Sequence, residues 1–286
     1  MGDYKHPEVL VSTDWVAART NDPKVRLVEV DVDTAAYEKG HIQNAIAWNW
    51  TSQLQDNVRR DLLSKPQLEE LLGQSGIKRD TTVVLYGDNN NWFAAYALWQ
   101  LKYYGHPDAR LMNGGRKKWE LEGRAFTTDT TAPARAEYKA SDPDASVRAR
   151  RDQVFQALEG KGTNLVDVRS PDEFTGKVIA PPGMPETAQR GGHIPGALNV
   201  PWAKAANEDG TFKSYDDLAQ LYAAVRQDQE TIAYCRIGER SSHTWFALKY
   251  LLGLQNVRNY DGSWTEWGNL VDAPIAKGEA VKASGA

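Results

Sequence analysis

Hydrophobic and polar positions form two alternating kinds of pattern along the chain. Short apolar runs such as Val83–Tyr86 and Ile232–Tyr234 predict buried strands, and each is followed by a loop and a longer amphipathic stretch. The stretches 92–104 and 241–252 predict the helices that follow these strands. Strands and helices in alternation indicate an α/β fold with a parallel sheet flanked by helices, in which ligands bind beyond the carboxyl ends of the strands.

Capping residues mark the starts of two further helices. Ser64 and Gln67, with a proline between them, form a capping box. Ser214 and Asp217 stand at the same spacing later in the chain. Both pairs therefore predict a helix that begins directly after the serine.

The chain contains two copies of one pattern. Three sequence pairs recur in the same order: Leu27–Asp31 and Leu165–Arg169, Gly40–Ile42 and Gly192–Ile194, and Asn113–Trp119 and Asp261–Trp267. A repeat of this length predicts two tandem domains of the same fold, which we place at residues 1–124 and 147–272. The segment 125–146 is rich in Thr, Ala, Asp and Pro and is typical of a linker, and 273–286 is expected to be a flexible tail.

Composition and charge narrow the classes of partner. Of 286 residues, 34 are Lys or Arg and 38 are Asp or Glu, which gives a net charge of −4, and 41% are hydrophobic. A nucleic-acid partner or an anionic membrane surface favours a basic stripe, and the chain has none, so we expect neither partner. No apolar stretch is long enough to span a bilayer, and residues 1–14 lack the apolar block of a signal peptide, so we expect a soluble, cytoplasmic protein.

Cysteine and histidine are scarce. The single cysteine, Cys235, excludes an intramolecular disulfide and a cysteine-rich zinc site. The five histidines include no pair at a metal-ligand spacing, so we expect no metal and no cofactor.

Cys235 stands where an α/β fold places its ligands. The loop Cys235–Arg240 directly follows a predicted strand and precedes a predicted helix. Such a loop turns backbone N–H groups inward, and the helix dipole adds partial positive charge. Arg236 and Arg240 add two permanent charges, so we expect a pKa of Cys235 below that of an ordinary cysteine.

The first copy separates what the fold requires from what chemistry requires. Its corresponding loop, Gly87–Trp92, has no cysteine and neither arginine. His41 and His193 occupy matching positions in both copies, so we expect them to make structural hydrogen bonds. His243 lies early in the helix after Cys235, and the sequence leaves open whether it approaches the sulfur or solvent.

A thiolate surrounded by amides and arginines suits an anionic electrophile, which leaves sulfur transfer and phosphoryl transfer as alternatives. Cysteine phosphatases surround phosphate with a wider loop that has five residues between Cys and Arg. Here only four residues separate Cys235 from Arg240, and Ser241 follows. The tighter loop favours attack on a single sulfur atom.

Four strings together resemble the two-domain rhodaneses, the thiosulfate sulfurtransferases: Cys235–Arg240, Gly192–Ala197, Asp167–Phe174 and Tyr260–Trp264. The resemblance covers nearly the whole chain. It implies two rhodanese-like α/β domains, of which the first is catalytically inactive and the second is catalytic.

The resemblance also implies a double displacement. Cys235 attacks the outer sulfur of thiosulfate, releases sulfite and holds the sulfur as a persulfide, which a thiophilic acceptor such as cyanide, a thiol or a thioredoxin-like protein then removes. It implies a substrate-binding loop in which backbone N–H groups stabilise the persulfide while arginines hold sulfite: Arg236, Ile237, Gly238, Glu239 and Arg240.

Alternatives to this activity remain. Mercaptopyruvate sulfurtransferases have a less basic loop, so the chain's two arginines favour thiosulfate and rank mercaptopyruvate second. A different class is a regulatory or sulfur-relay rhodanese module that binds a protein partner. An arsenate reductase or phosphatase of related fold is disfavoured by the loop length.

Two positions depart from the rhodanese pattern. Glu173 stands where some thiosulfate enzymes have a substrate-binding arginine, and Arg169, Lys177 and Arg190 are the basic residues that could compensate. Of these we expect Arg169 to be structural. Glu239 lowers the positive charge of the loop, and the sequence leaves open whether it points outward to pair with a surface base.

Overall fold

A computed structural model describes residues 2–160, 162–183 and 187–279, and these divide into two units. One unit contains His6–Ala145 together with Ala206–Phe212. The other contains the described residues within 2–5, 146–205 and 213–279. Each unit is therefore built mainly from one of the two sequence copies.

The unit formed by the first copy has a five-stranded parallel sheet in the order β1-β5-β4-β2-β3. Its strands are β1 (Leu10–Val11), β2 (Val25–Asp31), β3 (Ile46–Asn49), β4 (Thr82–Tyr86) and β5 (Ala109–Met112). Its helices are α1 (Thr13–Ala17), α2 (Ala35–Lys39), α3 (Trp50–Gln53), α4 (Lys65–Gln74), α5 (Trp92–Tyr103) and α6 (Gly115–Leu121).

The unit formed by the second copy repeats this topology, with the strand order β6-β10-β9-β7-β8. Its strands are β6 (Arg148–Ala149), β7 (Thr163–Asp167), β8 (Leu198–Asn199), β9 (Glu230–Tyr234) and β10 (Val257–Tyr260). Its helices are α7 (Arg151–Glu159), α8 (Pro171–Thr175), α9 (Tyr215–Leu221), α10 (Glu239–Phe246) and α11 (Ser263–Trp267). The expected class, two tandem α/β domains that each have a parallel sheet flanked by helices, is confirmed.

Sequence-local features explain several of these boundaries. Ser64 and Gln67 form the predicted capping box at the start of α4, and the Ser214 side chain accepts a hydrogen bond from the Asp217 amide at the start of α9. The helix predicted for 92–104 is α5. The helix predicted for 241–252 begins earlier, at Glu239, and after Phe246 it continues as a π-helical turn through Leu251.

Each sheet is buried between its helices. The central strand β9 is buried from Thr231 to Tyr234, and β4 is buried at the matching positions. Trp264 and Trp267 of α11 belong to the core of the second copy, where they pack with residues of the sheet and its covering helices. The core thus fixes β9, whose carboxyl end carries Cys235.

Two segments lie outside the regular elements of the repeat. Within 125–145, the Thr127 amide pairs with the His41 carbonyl, and Tyr138 bonds to the buried His106 at 2.8 Å, so this segment packs on the unit of the first copy. In the part of the tail that is described, Ala276 pairs with His193. Residues 280–286 of that tail lie outside the described residues.

Among the residues that the structure describes, no helix is long and apolar enough to cross a membrane.

Candidate active site

The loop that follows β9 begins with Cys235 and ends where α10 starts at Glu239. Because β9 lies at the centre of the sheet, the loop sits where the chain order reverses between β9 and β7. Gly238 has a φ of 104°, and a Cβ at this position would approach the Asp261 Cα to 2.9 Å. Only glycine satisfies both the backbone conformation and this close approach.

The residues after β10 hydrogen-bond to the backbone of this loop. The Cys235 amide donates to the Ser263 Oγ at 3.0 Å, and the Cys235 carbonyl accepts from the Trp264 amide at 3.0 Å. The Arg236 carbonyl accepts from both the amide and the hydroxyl of Thr265, at 3.0 and 2.8 Å. The Tyr260–Trp264 string therefore serves the loop directly, because it anchors the backbone on both sides of the Cys235 carbonyl.

Three groups surround the sulfur of Cys235, which is fully buried. The Gly238 amide donates to Sγ at 3.1 Å, and the Ser241 hydroxyl lies 3.5 Å from it. The thiol in turn donates to the Glu239 Oε2 at 3.2 Å. Glu239 does not point outward, because helix α10 begins at this residue and turns its side chain into the site, where it is completely buried.

The direction expected for the pKa of Cys235 is also wrong. Burial raises the pKa of the thiol, and the Glu239 carboxylate raises it further, while Arg240 and Ser241 act in the opposite direction. The charges of the loop arginines are visible in the sequence, whereas the loss of water around the sulfur is not. The resting sulfur is therefore a thiol that donates a hydrogen bond.

Both loop arginines are paired with carboxylates. Arg240 makes two N–H···O bonds to Glu173, at 2.9 and 3.0 Å, and Arg236 lies 3.7 Å from the Glu239 carboxylate. The bonds from Arg240 hold the pKa of Glu173 below its usual range despite burial. The two positive charges are thus balanced by two negative charges within the site, which the sequence did not show.

The three basic residues considered as compensation for Glu173 have other partners. Arg169 is buried and bonds to Asp167 and to the Gly192 carbonyl, as expected for a structural residue. Arg190 donates to four backbone carbonyls between residues 267 and 273. Lys177 is exposed and lies 3.4 Å from the Asp172 carboxylate.

His41 and His193 make structural hydrogen bonds, as their matching positions in the two copies predicted, and His243 is in a different environment. His41 and His193 each donate from Nδ1 to a backbone carbonyl, at 2.9 and 2.8 Å, and each stacks on a neighbouring aromatic ring at 3.6 Å. His243 is buried with its ring edge-on to Trp202, and burial lowers its pKa to about 3. All hydrogen bonds of the Cys235 sulfur within the described chain go to other groups, namely Gly238, Glu239 and Ser241.

The matching loop of the first copy keeps the scaffold without the reactive groups. The Arg116 amide donates to the Gly87 carbonyl, just as the Trp264 amide donates to that of Cys235. The Asn91 side chain bridges the Gly87 amide and the Met112 carbonyl, at 2.9 and 2.7 Å. Side-chain amide bonds therefore close this loop, and no sulfur is present in it.

Sequence reasoning missed two residues of the site. Ser241 contacts Sγ and also donates to the Asn259 side chain at 2.6 Å. Ser263, which has a φ of 50°, accepts the Cys235 amide. Ser241 could have been found from its position in the first turn of the predicted helix. Ser263 could have been found from its position in the Tyr260–Trp264 string, which resembles the rhodaneses.

The fold and the site define a class of tandem-domain α/β protein. In this class one of the two copies places a cysteine in the loop between its central strand and the next helix. The model of the rhodanese-like domain matches the chain twice, at residues 12–122 and 151–270. The chain belongs to the rhodanese family.

Relatives of similar length support a sulfurtransferase. A protein of Saccharopolyspora erythraea named "Putative thiosulfate sulfurtransferase" is 60% identical over 271 residues, which cover 94% of this chain and 96% of the relative. The "Sulfur carrier protein TtuD" of Thermus thermophilus is 56% identical over 283 residues, which cover 96% of this chain and 99% of the relative.

Solved structures share the tandem fold at lower identity. The crystal structure of YnjE is 27% identical with a TM-score of 0.82, and the match covers 98% of this chain and 70% of the other. A structure of EanB described as a cysteine persulfide with ergothioneine is 25% identical with a TM-score of 0.87, and the match covers 98% of this chain and 73% of the other.

In the described part of the chain, no cluster of three or more His, Cys, Asp or Glu side chains is placed to hold a metal ion.

Proposed function

We propose that this protein is a thiosulfate sulfurtransferase in which Cys235 carries the transferred sulfur as a persulfide. The observation that carries the proposal is the position of Cys235 at the end of β9, with its sulfur 3.1 Å from the Gly238 amide. Relatives that are named for thiosulfate sulfur transfer and align along almost the whole chain support the choice of donor.

The reaction proceeds in two displacements. The Cys235 sulfur attacks the outer sulfur of thiosulfate, the sulfur–sulfur bond of thiosulfate breaks, and sulfite leaves with the bonding electron pair. An acceptor such as cyanide, a small thiol or a thioredoxin-like protein then attacks the outer sulfur of the persulfide. Cys235 leaves with the electron pair of that bond and is ready for the next donor.

The loop stabilises the charges that form. The Gly238 amide and the N-terminus of α10 face the sulfur and stabilise the persulfide anion. Arg236, which directly follows Cys235 in the loop after β9, is the group that we assign to the departing sulfite. Arg240 acts differently, because its two short bonds to Glu173 make it a positioning residue for the site.

The proposal is tested by intact-mass measurement after incubation with thiosulfate, beside a Cys235→Ser control. We expect the wild-type protein to gain one sulfur atom, to release one equivalent of sulfite and to lose the added mass when cyanide is supplied. The control is expected to gain nothing. If the wild-type protein gains no sulfur, thiosulfate is not its donor, and the same measurement with 3-mercaptopyruvate or a protein persulfide identifies the alternative.

A second candidate function is sulfur carriage within a relay, which the similarity to a named sulfur carrier protein favours. A carrier would accept sulfur on Cys235 and pass it to a protein thiol faster than to cyanide. The rates at which the preformed persulfide discharges to cyanide and to a thioredoxin-like protein distinguish the two functions.

A further inference from the structure

Cys235 and Glu239 form a buried thiol–carboxyl pair. Sγ and Oε2 are 3.2 Å apart, and both side chains are fully buried. The Gly238 amide donates to the sulfur, and the Ser241 hydroxyl lies 3.5 Å from it. Ser241 is itself engaged with the Asn259 oxygen at 2.6 Å, so Glu239 is the proton acceptor in contact with the sulfur.

The two buried carboxylates of the site are stabilised to different extents. Glu173 receives two bonds from Arg240 and, on the same carboxylate, two more from the amide and hydroxyl of Ser170. The Oε1 atom of Glu239 is buried and has no hydrogen bond, and its nearest cationic nitrogens are 3.5 and 3.7 Å away. The hydrogen bonds that stabilise a buried carboxylate are therefore concentrated on Glu173, whereas one oxygen of Glu239 receives none.

We propose that Glu239 is the catalytic proton acceptor of Cys235 and that the two side chains hold one proton between them. In the resting protein that proton lies on the sulfur. When a sulfur donor reaches the site, the proton moves to the Glu239 Oε2 and leaves a thiolate. The pair carries one negative charge before and after the transfer, so the nucleophile forms without adding a net charge to a buried site.

The proton and electron balance of the complete cycle follows. The S–H bond of Cys235 breaks and an O–H bond forms on Glu239, after which the sulfur electron pair forms a bond with the outer sulfur of the donor and sulfite leaves with the donor's bonding pair. In the second displacement the acceptor takes the outer sulfur, and Cys235 leaves as a thiolate. Glu239 then returns the proton to the Cys235 sulfur.

Other charged groups surround the pair on several elements. On the loop itself Arg236 and Arg240 flank Glu239, and helix α8 contributes Glu173. From the segment after β10, Asp261 lies against Gly238 and is paired with Arg148. From the segment after β7, Arg169 and Asp167 form a buried pair. Each of these side chains bonds to or pairs with a group of opposite charge, and among the charged side chains Glu239 is the one that is hydrogen-bonded to the sulfur.

The first experiment titrates the thiol by the ultraviolet absorbance of its thiolate, with the Cys235→Ser trace subtracted. Because the chain has one cysteine, the difference reports this thiol alone. We expect wild-type Cys235 to ionise above the ordinary cysteine pKa of about 8.5, and the Glu239→Gln variant to ionise at lower pH. A thiol pKa in Glu239→Gln that equals or exceeds the wild-type value overturns the proposal.

The second experiment measures the rate of sulfite release in a single turnover with thiosulfate, and this arm rests on the proposed function. For a thiol without a proton acceptor, the rate of attack increases about tenfold with each unit of rising pH below the thiol pKa, because only the thiolate attacks. We expect the wild-type rate to rise less steeply than tenfold per pH unit between roughly pH 6 and 8, while the rate of Glu239→Gln follows its own thiolate fraction. Glu29→Gln, which removes a buried carboxylate that pairs with Arg116 in the unit of the first copy, is the matched control and is expected to keep the wild-type profile.

The outcomes separate the two proposals. A wild-type rate that rises about tenfold per pH unit overturns the shared proton, as does a Glu239→Gln profile that matches wild type below the variant's own thiol pKa. A residue with a purely structural role would lower the rate without changing the shape of the profile. If thiosulfate releases no sulfite at all, the proposed donor fails, and the thiol titration still decides whether Glu239 governs Cys235.

Discussion

Arg240 and Glu173 form a buried ion pair through two N–H···O bonds of 2.9 and 3.0 Å, although the two residues lie on different helices, α10 and α8. Glu173, at the position where some thiosulfate enzymes have a substrate-binding arginine, therefore binds the loop residue Arg240 instead. This pair holds the start of α10, and with it Glu239, against the sulfur of Cys235.

Breaking the Arg240–Glu173 pair is expected to destabilise the protein strongly. Glu173→Ala leaves the buried Arg240 guanidinium without its bidentate partner, and such a loss typically lowers the free energy of unfolding by about 3–5 kcal/mol. Urea unfolding measures the change. Lys65→Ala, which removes the exposed ion pair with Asp142, is the control and should leave the midpoint unchanged. Similar effects of both variants would contradict the assigned role of the buried pair.

The same pair predicts a pH dependence of stability. The folded protein holds the pKa of Glu173 below its ordinary value of about 4.3, so the unfolded chain binds the proton first on acidification. The stabilisation that ionised Glu173 gives to the folded protein is fully present above about pH 4.3 and is lost as the pH falls through the pKa of Glu173 in the fold. Urea unfolding at several pH values should show the advantage of wild type over Glu173→Gln shrinking below that point, and an advantage that grows there would oppose this sign.

His243 is expected to destabilise the protein as the pH falls below neutrality. Burial lowers its pKa to about 3, whereas an unfolded histidine has a pKa of about 6.5. The neutral ring is thus favoured in the fold, and stability is lost between about pH 6.5 and 3 at up to about 1.4 kcal/mol per unit. His243→Gln should show a smaller loss of unfolding free energy from pH 6.5 to 5 than wild type, and equal losses would show that this ring does not titrate on unfolding.

Gly238→Ala is expected to impair both stability and sulfur transfer. A Cβ at this position meets Asp261 at 2.9 Å in addition to the cost of a φ of 104°, and it displaces the amide that donates to the Cys235 sulfur. Gly123→Ala is the matched control, because Gly123 has a φ of 65° with no atom within 4 Å of the added Cβ. The control should lose only the conformational term of about 1–2 kcal/mol and keep its rate of persulfide formation.

Ser263→Ala tests whether the segment after β10 positions the nucleophile. The substitution removes the hydroxyl that accepts from the Cys235 amide, and a buried amide without a partner costs about 1–3 kcal/mol. We expect the rate of persulfide formation to fall together with stability. Ser12→Ala removes the side-chain cap of α1 in the other unit at a cost of about 1 kcal/mol and serves as the control for stability alone. An unchanged rate in Ser263→Ala would remove this residue from the positioning of Cys235.

Much of the fold could be predicted from local patterns. Apolar runs such as Ile232–Tyr234 predicted buried strands because a strand inside a parallel sheet excludes water on both faces. The serine at the start of α4 predicted a boundary because its side chain satisfies an exposed backbone amide. The identical strand order of the two sheets is the counterpart of the repeat in the sequence.

The electrostatics of the site could not be predicted in the same way. The sequence places Arg236, Glu239 and Arg240 within one loop, and a count of charges gave a positive site around Cys235. In the structure the loop arginines are balanced by Glu173 and Glu239, and the sulfur lies next to a carboxylate. The net field at an atom depends on distance and burial, and sequence spacing gives neither across different elements.

The sequence by itself determined the repeated α/β architecture, the loop that carries Cys235, and the absence of a thiol from the first copy. These features follow from periodicity and from residues that are adjacent in the chain. Only the tertiary structure decided that Glu239 faces the sulfur, that Glu173 binds Arg240, and that the resting thiol is protonated. Those outcomes depend on side chains that the packed sheet and helices bring together and remove from water, and the energy of a buried charge is set by that surrounding rather than by the residue that bears it.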